Sequence, residues 1–433
     1  MRLIKQIIFD LRTQPVIGAV SIIGTAMAIL LVMVVMMMHQ IQVEPISPES
    51  NRARLLYDYG VSMESGEGYS GSSFMSLELI DRIYGNLKSD EVEAVSVVTA
   101  TCMPYDINAD GGVPEIADVR MTDENVWRIY DYDFINGSPY DKGDVDAAKK
   151  VVVLNESLAR KLFGSVDVAG RTVMLEQFPY RVVGVVKDIS PLMGWSYAQC
   201  WLPIVKTPEQ RMRMNDAVDK YFGDYSVITM AKSPEALDGI RNEIRSLNAT
   251  LNSELKTTGW QRADTDYPYT HEYLYSLRGT NRAPEISSAN MIRWILLAII
   301  ILVPAINLSS MTQSRLRQRR HEIGVRRAFG ATKSSIMLAI LRENFVVTVA
   351  GGVLGLVLAF IFSWLFASLF YDPIYSWQGY SQEMSVNLSM MFRWSVFGWA
   401  LLACFLLNLL SAGIPAWRAS RVNPVEAING DTK

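Results

Sequence analysis

Four apolar runs without a single charged residue divide this chain more strongly than any other feature. They cover residues 16–38, 294–311, 345–370 and 394–414. At a rise of about 1.5 Å per residue, each is long enough as a helix to cross a hydrocarbon layer of roughly 30 Å. The first run exceeds the roughly 7–15 apolar residues of a signal-peptide core, and "MMMHQIQ" after it offers no small-x-small cleavage site. We therefore expect four transmembrane helices, the first retained as an anchor rather than cleaved.

The distribution of charge predicts the orientation of these helices. The short segments before the first run, between the second and third runs, and after the fourth run are basic, and residues 315–333 alone hold six arginines and a lysine. Residues 41–288 instead hold 25 lysines and arginines against 37 aspartates and glutamates. Because positive residues of short loops stay inside, we predict that both termini are cytoplasmic, in a bacterial inner membrane, and that the acidic block is periplasmic.

The predicted organisation combines the runs with this orientation. It is a cytoplasmic amphipathic segment at 1–15, spans at 16–40, 289–311, 345–370 and 394–414, a periplasmic domain at 41–288, a cytoplasmic elbow at 312–344, a short periplasmic loop at 371–393 and a cytoplasmic tail at 415–433.

The periplasmic block reads as an α/β domain. Asn155 is predicted to cap a helix that Gly164 ends, and Ser233 to open another with Pro234 at its first position. Helix and strand patterns alternate, which favours mixed sheets. Helical patterns occupy 76–87, 156–164 and 233–252, and strand patterns occupy 92–101, 149–154, 171–189 (a strand pair) and 225–231. Cys102 and Cys200 also lie here; their spacing gives no disulfide framework, so free thiols are favoured and pairing stays open.

A search for enzyme motifs is largely negative. His321-Glu322 begins like a zinc-protease helix, but the second histidine would have to stand at 325, where the residue is Val325. No phosphate-binding Gly-x-x-x-x-Gly-Lys-Ser/Thr loop is present. The acidic clusters at 131–133 and 141–146 do not match a calcium loop and are interpreted as solvated charge. We expect no catalytic residue, no metal site and no cofactor bound by this chain.

The apolar runs look like structural helices rather than an ion path. None carries a charge in its middle, where an ion-coupled carrier usually needs one, and no inverted repeat is visible. Gly351 and Gly355 share one face and permit close helix packing, whereas Asn307 and Asn408 are interpreted as helix-to-helix hydrogen-bonding residues in preference to substrate contacts.

The basic elbow has a predicted shape as well as a charge. Residues 312–329 favour a helix, Gly330 can take the left-handed closing position, and Thr332 can cap a new helix that enters the third run. An apolar edge accompanies the basic residues and comprises Ile323, Val325, Ala328 and Phe329. Binding to acidic membrane lipid explains the charge, but a capped corner with an apolar edge is better suited to docking a cytoplasmic partner.

These residues resemble a known family. "RHEIGVRRAFGATKSSI" is similar to the signature of MacB/FtsX-type ABC transporter permeases, in which Glu-Ile-Gly, basic residues and Gly-Ala-Thr recur between the second and third spans. "LRENFVVTVAGGVLGLVLA" (341–359) and "IPAWRASRVNPVEAING" (414–430) resemble the segments after that signature in the same permeases. "VVVLNESLARKLFGSVDVAGRTVML" with "YRVVGVVKD" resembles the MacB-like periplasmic domain. His321 stands where an arginine is usual. MacB itself carries a fused ATPase, so we expect a separate ATPase subunit here.

The resemblance implies a machine that transmits motion. Two four-helix permease chains, identical or different, would each rest on a cytoplasmic ABC ATPase subunit that holds ATP and Mg²⁺. Its closure would push the elbow and change the periplasmic domain, which would comprise a porter-like part near 60–105 and 220–260 and an inserted second lobe near 110–215. The expected ATPase-coupling residues are Glu322, Ile323, Gly324, Arg326, Arg327, Gly330, Ala331 and Thr332.

Function within the family varies, and one alternative lies outside it. MacB-like members export toxins, peptides or drugs with a periplasmic adaptor and an outer-membrane channel, other members release lipoproteins, and FtsX members activate cell-wall hydrolases. The large outer block favours a MacB-like exporter. The alternative is a membrane-anchored receptor or scaffold that signals without ATP. Neither hypothesis involves nucleic acid.

Overall fold

The computed structural model describes most of the acidic block at 41–288 and part of the remaining, helical chain. The described residues are 19–34 except 21 and 28, 45–276 except 110, 192, 206–217 and 264–266, 320–365, and single positions or short pieces at 291, 295, 298, 302 and 397–406. Two compact units emerge. The α/β unit comprises Gln42–Pro284 and Ala367–Val386, and the helical unit comprises Met1–Ile41, Glu285–Phe366 and Asn387–Lys433.

The strands of the α/β unit join into one mixed sheet. In chain order they are β1 Leu55–Asp58, β2 Val61–Ser65, β3 Ser70–Met75, β4 Val92–Thr99, β5 Met103–Ala109, β6 Glu115–Thr122, β7 Phe134–Gly137, β8 Val151–Asn155, β9 Thr172–Leu175, β10 Phe178–Val186, β11 Cys200–Pro203, β12 Phe222–Gly223, β13 Tyr225–Ala231, β14 Trp260–Arg262 and β15 Tyr269–Thr270. Its helices are α1 Leu77–Tyr84, α2 Val126–Ile129, α3 Lys142–Asp146, α4 Glu156–Phe163, α5 Leu237–Leu255 and α6 His271–Ser276.

The base lobe, built from β1–β4, β12–β15, α1 and α5, is organised around β13. Every residue of β13 is buried, and the strand pairs with β1 on one side and β4 on the other. Because side chains alternate along a strand, Val227 enters a core with α1 and α5, whereas Ile228 enters a second core on the opposite face with α2. A continuous apolar sequence is what a strand covered on both faces requires.

The second lobe, which we call the barrel lobe, is a closed ring of six strands. Its order is β6–β5–β9–β10–β8–β11, and β11 returns to pair with β6 in parallel through Cys200–Val119 to Pro203–Thr122. The interior is filled by aliphatic side chains such as Val119, Leu154 and Val182, and α4 packs against it. Closure leaves none of these six strands with an unpaired edge on the ring.

A junction between β4 and β6 joins the two lobes. β4 and β6 share the single pair Val98–Thr122, and the side chain of Asp123 extends this contact. Its carboxylate accepts hydrogen bonds from Val97 N (2.9 Å) and Ser96 Oγ (2.6 Å), while Asp123 N donates to Val97 O. The carboxylate therefore takes the place of a backbone hydrogen-bond acceptor at the point where the pairing of β4 with β6 ends.

Local sequence signals in this unit are largely confirmed. Asn155 Oδ1 accepts from Leu158 N at 3.0 Å, and Gly164 ends α4 with a φ of 69°. The predicted helix after Ser233 begins differently, because Pro234–Ala236 forms a 3₁₀ turn, α5 begins at Leu237, and the Ser233 side chain makes no cap hydrogen bond.

The predicted lobe boundary also needs correction. The family resemblance places residues 103–105 in the porter-like part, but β5 belongs to the barrel lobe because it pairs with β6 and β9.

The helical unit contains two further described helices, α7 Arg320–Ala328 and α8 Lys333–Leu365. Residues 19–20, 22–27 and 29–34 of the first apolar run are also helical. Among the described residues, no helix combines the length and apolarity that crossing a membrane requires. Asn307 and Asn408 lie outside the described residues, as does most of the second and fourth runs.

The buried Asp123 carboxyl at the junction predicts how the stability of the protein changes with pH. Burial raises the pKa of Asp123 to about 6 from its usual 3.8, against the opposing effect of hydrogen bonds from Ser96 and Val97. Because the folded state then binds the proton more tightly than the unfolded state, this group adds stability as pH falls from 7 towards 4. We expect wild type to gain thermal stability relative to Asp123→Asn between pH 8 and pH 5, measured on the full chain in detergent.

Exposed Asp106 on β5 supplies the matched control, Asp106→Asn. A difference in melting temperature between wild type and Asp123→Asn that stays constant with pH would contradict the role assigned to this carboxyl.

Candidate coupling site

The elbow between α7 and α8 is a sharp corner set by backbone chemistry. Gly330 has a φ of 91°, which L side chains rarely adopt, and Ala331 N donates back to Arg326 O at 3.0 Å to close α7. Thr332 Oγ1 then accepts from Ser335 N at 3.2 Å and caps the first turn of α8. The left-handed glycine and the threonine cap therefore lie where the sequence predicts them.

The corner presents a large apolar side chain outwards. Phe329, immediately before Gly330, is 89% exposed. Glu322 and Arg326 lie one turn apart on α7 and form an ion pair at 2.6 Å, with each side chain half exposed. An exposed aromatic residue beside a half-exposed ion pair provides both an apolar anchor and polar groups for a partner surface.

The expected coupling residues do not all face outwards. Ile323 is only 8% exposed and Gly324 is also buried, so these two pack within the chain. Thr332 is exposed, Ala331 is partly exposed, and Arg327 lies on α7. The predicted apolar edge is thus divided, because Ile323 packs inward and Val325 is partly buried, whereas Ala328 and Phe329 are exposed.

Glycines allow α8 to approach the first apolar run closely. A Cβ on Gly351 would lie 2.6 Å from Thr25 Cβ, and one on Gly355 would lie 2.6 Å from Ala26 O. Neither distance is compatible with a real side chain. The backbones therefore meet at these two positions, in the small-residue mode of helix contact.

The acidic clusters of the α/β unit serve local structure. Asp141 and Asp144 form a capping box at the start of α3, and Asp144 also bonds Lys149 at 2.6 Å. Hydrogen bonding to Lys149 lowers the pKa of Asp144. Asp131 accepts from Ser50, and Asp133 pairs with Lys187. Among the described residues, no group of histidine, cysteine and acidic side chains is arranged to hold a metal ion.

Cys102 and Cys200 are both buried and free. Met103, the residue after Cys102, and Cys200 pair with Val119 on opposite sides of β6. About twice the ~4.8 Å strand spacing therefore separates the backbones that carry the two cysteines. A disulfide needs Cα atoms within about 7 Å. Burial raises the pKa of both thiols, which keeps them protonated and unreactive.

Comparison with known proteins identifies both regions. Residues 19–247 match the family model of the MacB-like periplasmic core domain, and residues 294–424 match that of the FtsX-like permease C-terminal region. The chain is 24% identical over 72% of its length to the macrolide export ATP-binding/permease protein MacB of Chromobacterium violaceum, of which the match covers 43%. It is 24% identical over 63% of its length to the pyoverdine export ATP-binding/permease protein PvdT of Pseudomonas aeruginosa, of which 40% is covered.

A third relative is named as a permease alone. The uncharacterized ABC transporter permease YknZ of Bacillus subtilis is 20% identical over 68% of this chain and 65% of its own length. The chain thus spans about two fifths of the MacB and PvdT relatives that it matches. Since one family model covers more than half of the chain and the second follows it in order, the chain belongs to the MacB/FtsX-type ABC transporter permeases.

The glycine contact can be tested by adding one methyl group. We expect Gly355→Ala to destabilise the helical unit by about 1–3 kcal/mol, because its Cβ would meet the backbone oxygen of Ala26, which cannot rotate away. Thermal unfolding of the full chain in detergent measures the effect. Gly398→Ala is the matched control, since a Cβ there meets nothing within 4 Å. Equal melting temperatures for the two variants would exclude close packing at Gly355.

Proposed function

We propose that this chain is the membrane subunit through which a separate cytoplasmic ATPase drives export of a substrate from the periplasmic side. In this proposal the four apolar runs cross the inner membrane, both termini and the elbow are cytoplasmic, and the α/β unit is periplasmic. Two permease chains pair in the membrane, and each contacts an ATPase subunit that binds ATP and Mg²⁺. The family membership supports the transporter class, and the elbow supports the coupling role.

The observation that carries the proposal is the shape of the elbow. Phe329 is held outwards at a corner whose backbone is fixed by the left-handed Gly330 and by the cap at Thr332. A rigid corner loses little conformational entropy on docking, so an aromatic side chain at its apex is suited to enter a pocket of a partner. Glu322 and Arg326 would give that contact its orientation through charge.

A continuous helix connects the elbow with the helix contact. α8 runs for 33 residues from Lys333 to Leu365, about 50 Å at 1.5 Å per residue. Because Gly351 and Gly355 lie against Thr25 and Ala26, a displacement of α8 would move the helix formed by the first apolar run. The chain leads from that helix into the α/β unit. This order of contacts offers a mechanical route from the elbow to the periplasmic domain.

For the transported substrate, only the chemical class is proposed. MacB and PvdT relatives are named for export of a macrolide and of pyoverdine, two chemically different molecules. A shared mechanism with different cargoes suits a permease that changes the shape of its periplasmic domain instead of passing each substrate along a polar path. The substrate would be a peptide, toxin, drug or lipoprotein, with a periplasmic adaptor and an outer-membrane channel as further partners.

The elbow contact is tested by copurification. Burying a phenylalanine contributes about 1.5–3 kcal/mol, so Phe329→Asp should weaken binding of the ATPase subunit by at least tenfold. Glu322→Lys should weaken it further by placing a positive charge beside Arg326. Pull-down of the ATPase with tagged full-length permease, followed by titration in nanodiscs, measures both changes.

Phe178→Asp in the barrel lobe is the matched control, because Phe178 is also exposed but lies on β10. ATPase binding that survives both elbow variants would remove the coupling role from this corner. A purified chain that responds to a periplasmic ligand with no ATPase bound would instead support the receptor alternative.

A further inference from the structure

The ring of strands in the barrel lobe is covered by a helix at one end. α4 follows β8 directly, and its residues Leu158 and Ala159 pack into the interior of the ring. Lys161 of α4 also pairs with Glu115 Oε2 at 2.6 Å, and Glu115 is the first residue of β6. The end at which β8 finishes and β6 begins is therefore closed.

The opposite end of the ring is the one at which β5, β8 and β10 begin. β8 is parallel to β10, and β9 is antiparallel to both β10 and β5, so these three strands start at the same end. Cross-strand partners point to the same face of a sheet. Four side chains near these starts thus share the interior face with a buried partner: Met103 with Val119, Tyr105 with Ala117, Phe178 with Leu175 and Tyr180 with Val173.

These four side chains face the interior but remain open to solvent. Phe178 is 57% exposed and Met103 is 47% exposed, while Tyr105 and Tyr180 are partly exposed. Burial and the neighbouring Tyr105 raise the pKa of Tyr180, so this phenol stays neutral. We call the four residues the barrel mouth. An open, mostly apolar barrel end lined by aromatic rings is a common location of small-molecule sites.

A lysine with no acidic partner lies beside the barrel mouth. Lys150 immediately precedes β8, and its Nζ is 4.3 Å from the centroid of the Phe178 ring. The adjacent Lys149 pairs with Asp144 at 2.6 Å, whereas no carboxylate in the described part of the chain pairs with Lys150. Glu176, in the turn between β9 and β10, instead accepts from a backbone N–H of β5 at 2.9 Å. The positive charge beside the mouth is therefore available to a ligand.

A ligand that suits this surface needs an apolar part and a negative charge. The apolar part would cover Phe178 and the neighbouring rings and remove their area from water. The negative group would meet the ammonium of Lys150, which otherwise loses water without gaining a partner. A cationic ligand would be repelled by the same ammonium, and an uncharged one would leave it unpaired. Charge complementarity therefore favours an anion with an apolar body.

We propose that the barrel mouth and Lys150 bind a small anionic amphiphile, a molecule with an apolar or aromatic body and one carboxylate, phosphate or sulfate group. Phe178 contacts the body, and Lys150 binds the anionic group. This binding goes beyond the proposed export function, because it requires neither nucleotide nor the ATPase. Its test therefore fails or succeeds independently of the coupling role of the elbow.

The test compares two probes with the same ring system and different charge. 1-Anilinonaphthalene-8-sulfonate carries a sulfonate, and N-phenyl-1-naphthylamine lacks it. Each is titrated by fluorescence into the full-length chain in nanodiscs of zwitterionic lipid, with the signal of empty nanodiscs subtracted. We expect Lys150→Gln to weaken binding of the sulfonate about two- to fivefold, as for a partly exposed ion pair, and to leave the uncharged probe unchanged. Phe178→Ala should weaken binding of both probes.

Lys149→Gln is the matched control, since it removes an adjacent lysine whose charge is already paired with Asp144. It should leave the affinity for both probes unchanged, and melting temperatures of all variants verify the fold. Equal sulfonate affinity in Lys150→Gln and wild type would overturn the proposal, as would an equal loss of both probes in Lys150→Gln. Probe binding that neither Lys150→Gln nor Phe178→Ala alters would place the probes elsewhere and likewise overturn it.

Discussion

The left-handed backbone at Gly330 is the constraint on which the proposed coupling function depends. A φ of 91° ends α7 before α8 begins, and Phe329, the residue before it, stays exposed. Ile323 and Ile336, on either side of the corner, are buried and hold it in place. The elbow is thus a packed structure with one exposed aromatic residue, and it differs from a basic loop that only fixes topology. The basic residues around it remain suited to acidic lipid headgroups as well.

Rigid, closely packed elements make up the whole proposed route from the elbow to the α/β unit. α8 is continuous from the cap at Thr332 to Leu365, and its glycines place it in backbone contact with the first apolar run. In the α/β unit, the buried strand β13 fixes the base lobe and the closed ring of six strands fixes the barrel lobe. Packed elements of this kind transmit displacement instead of absorbing it. The two lobes meet at the junction, where β4 and β6 share one pair and the Asp123 carboxylate completes the contact.

How well the sequence predicts this structure depends on how far apart in the chain the interacting residues lie. The helix α4 was predictable to the residue because Asn155, Gly164 and the helical spacing between them are local signals. The first turn after Ser233 was not, since a 3₁₀ turn and an α-helical turn begin with the same residues. Closure of the barrel lobe depends on pairing residues 200–203 with 119–122, which no local pattern records. Asp118 and Arg120 look like the polar face of an ordinary strand, and only the fold shows that residues 194–197 cover them. In the elbow, spacing identified the corner but could not tell that Ile323 faces inward.

Hydrogen–deuterium exchange on the assembled permease and ATPase in nanodiscs, compared between nucleotide-free and ATP–vanadate states, can decide whether motion passes from the elbow to the α/β unit. Transmission through the elbow predicts slower exchange in residues 320–336 on ATP binding, together with altered exchange at the lobe junction around Val97 and Asp123. Identical exchange throughout the α/β unit in both states, with protection limited to the elbow, would contradict it.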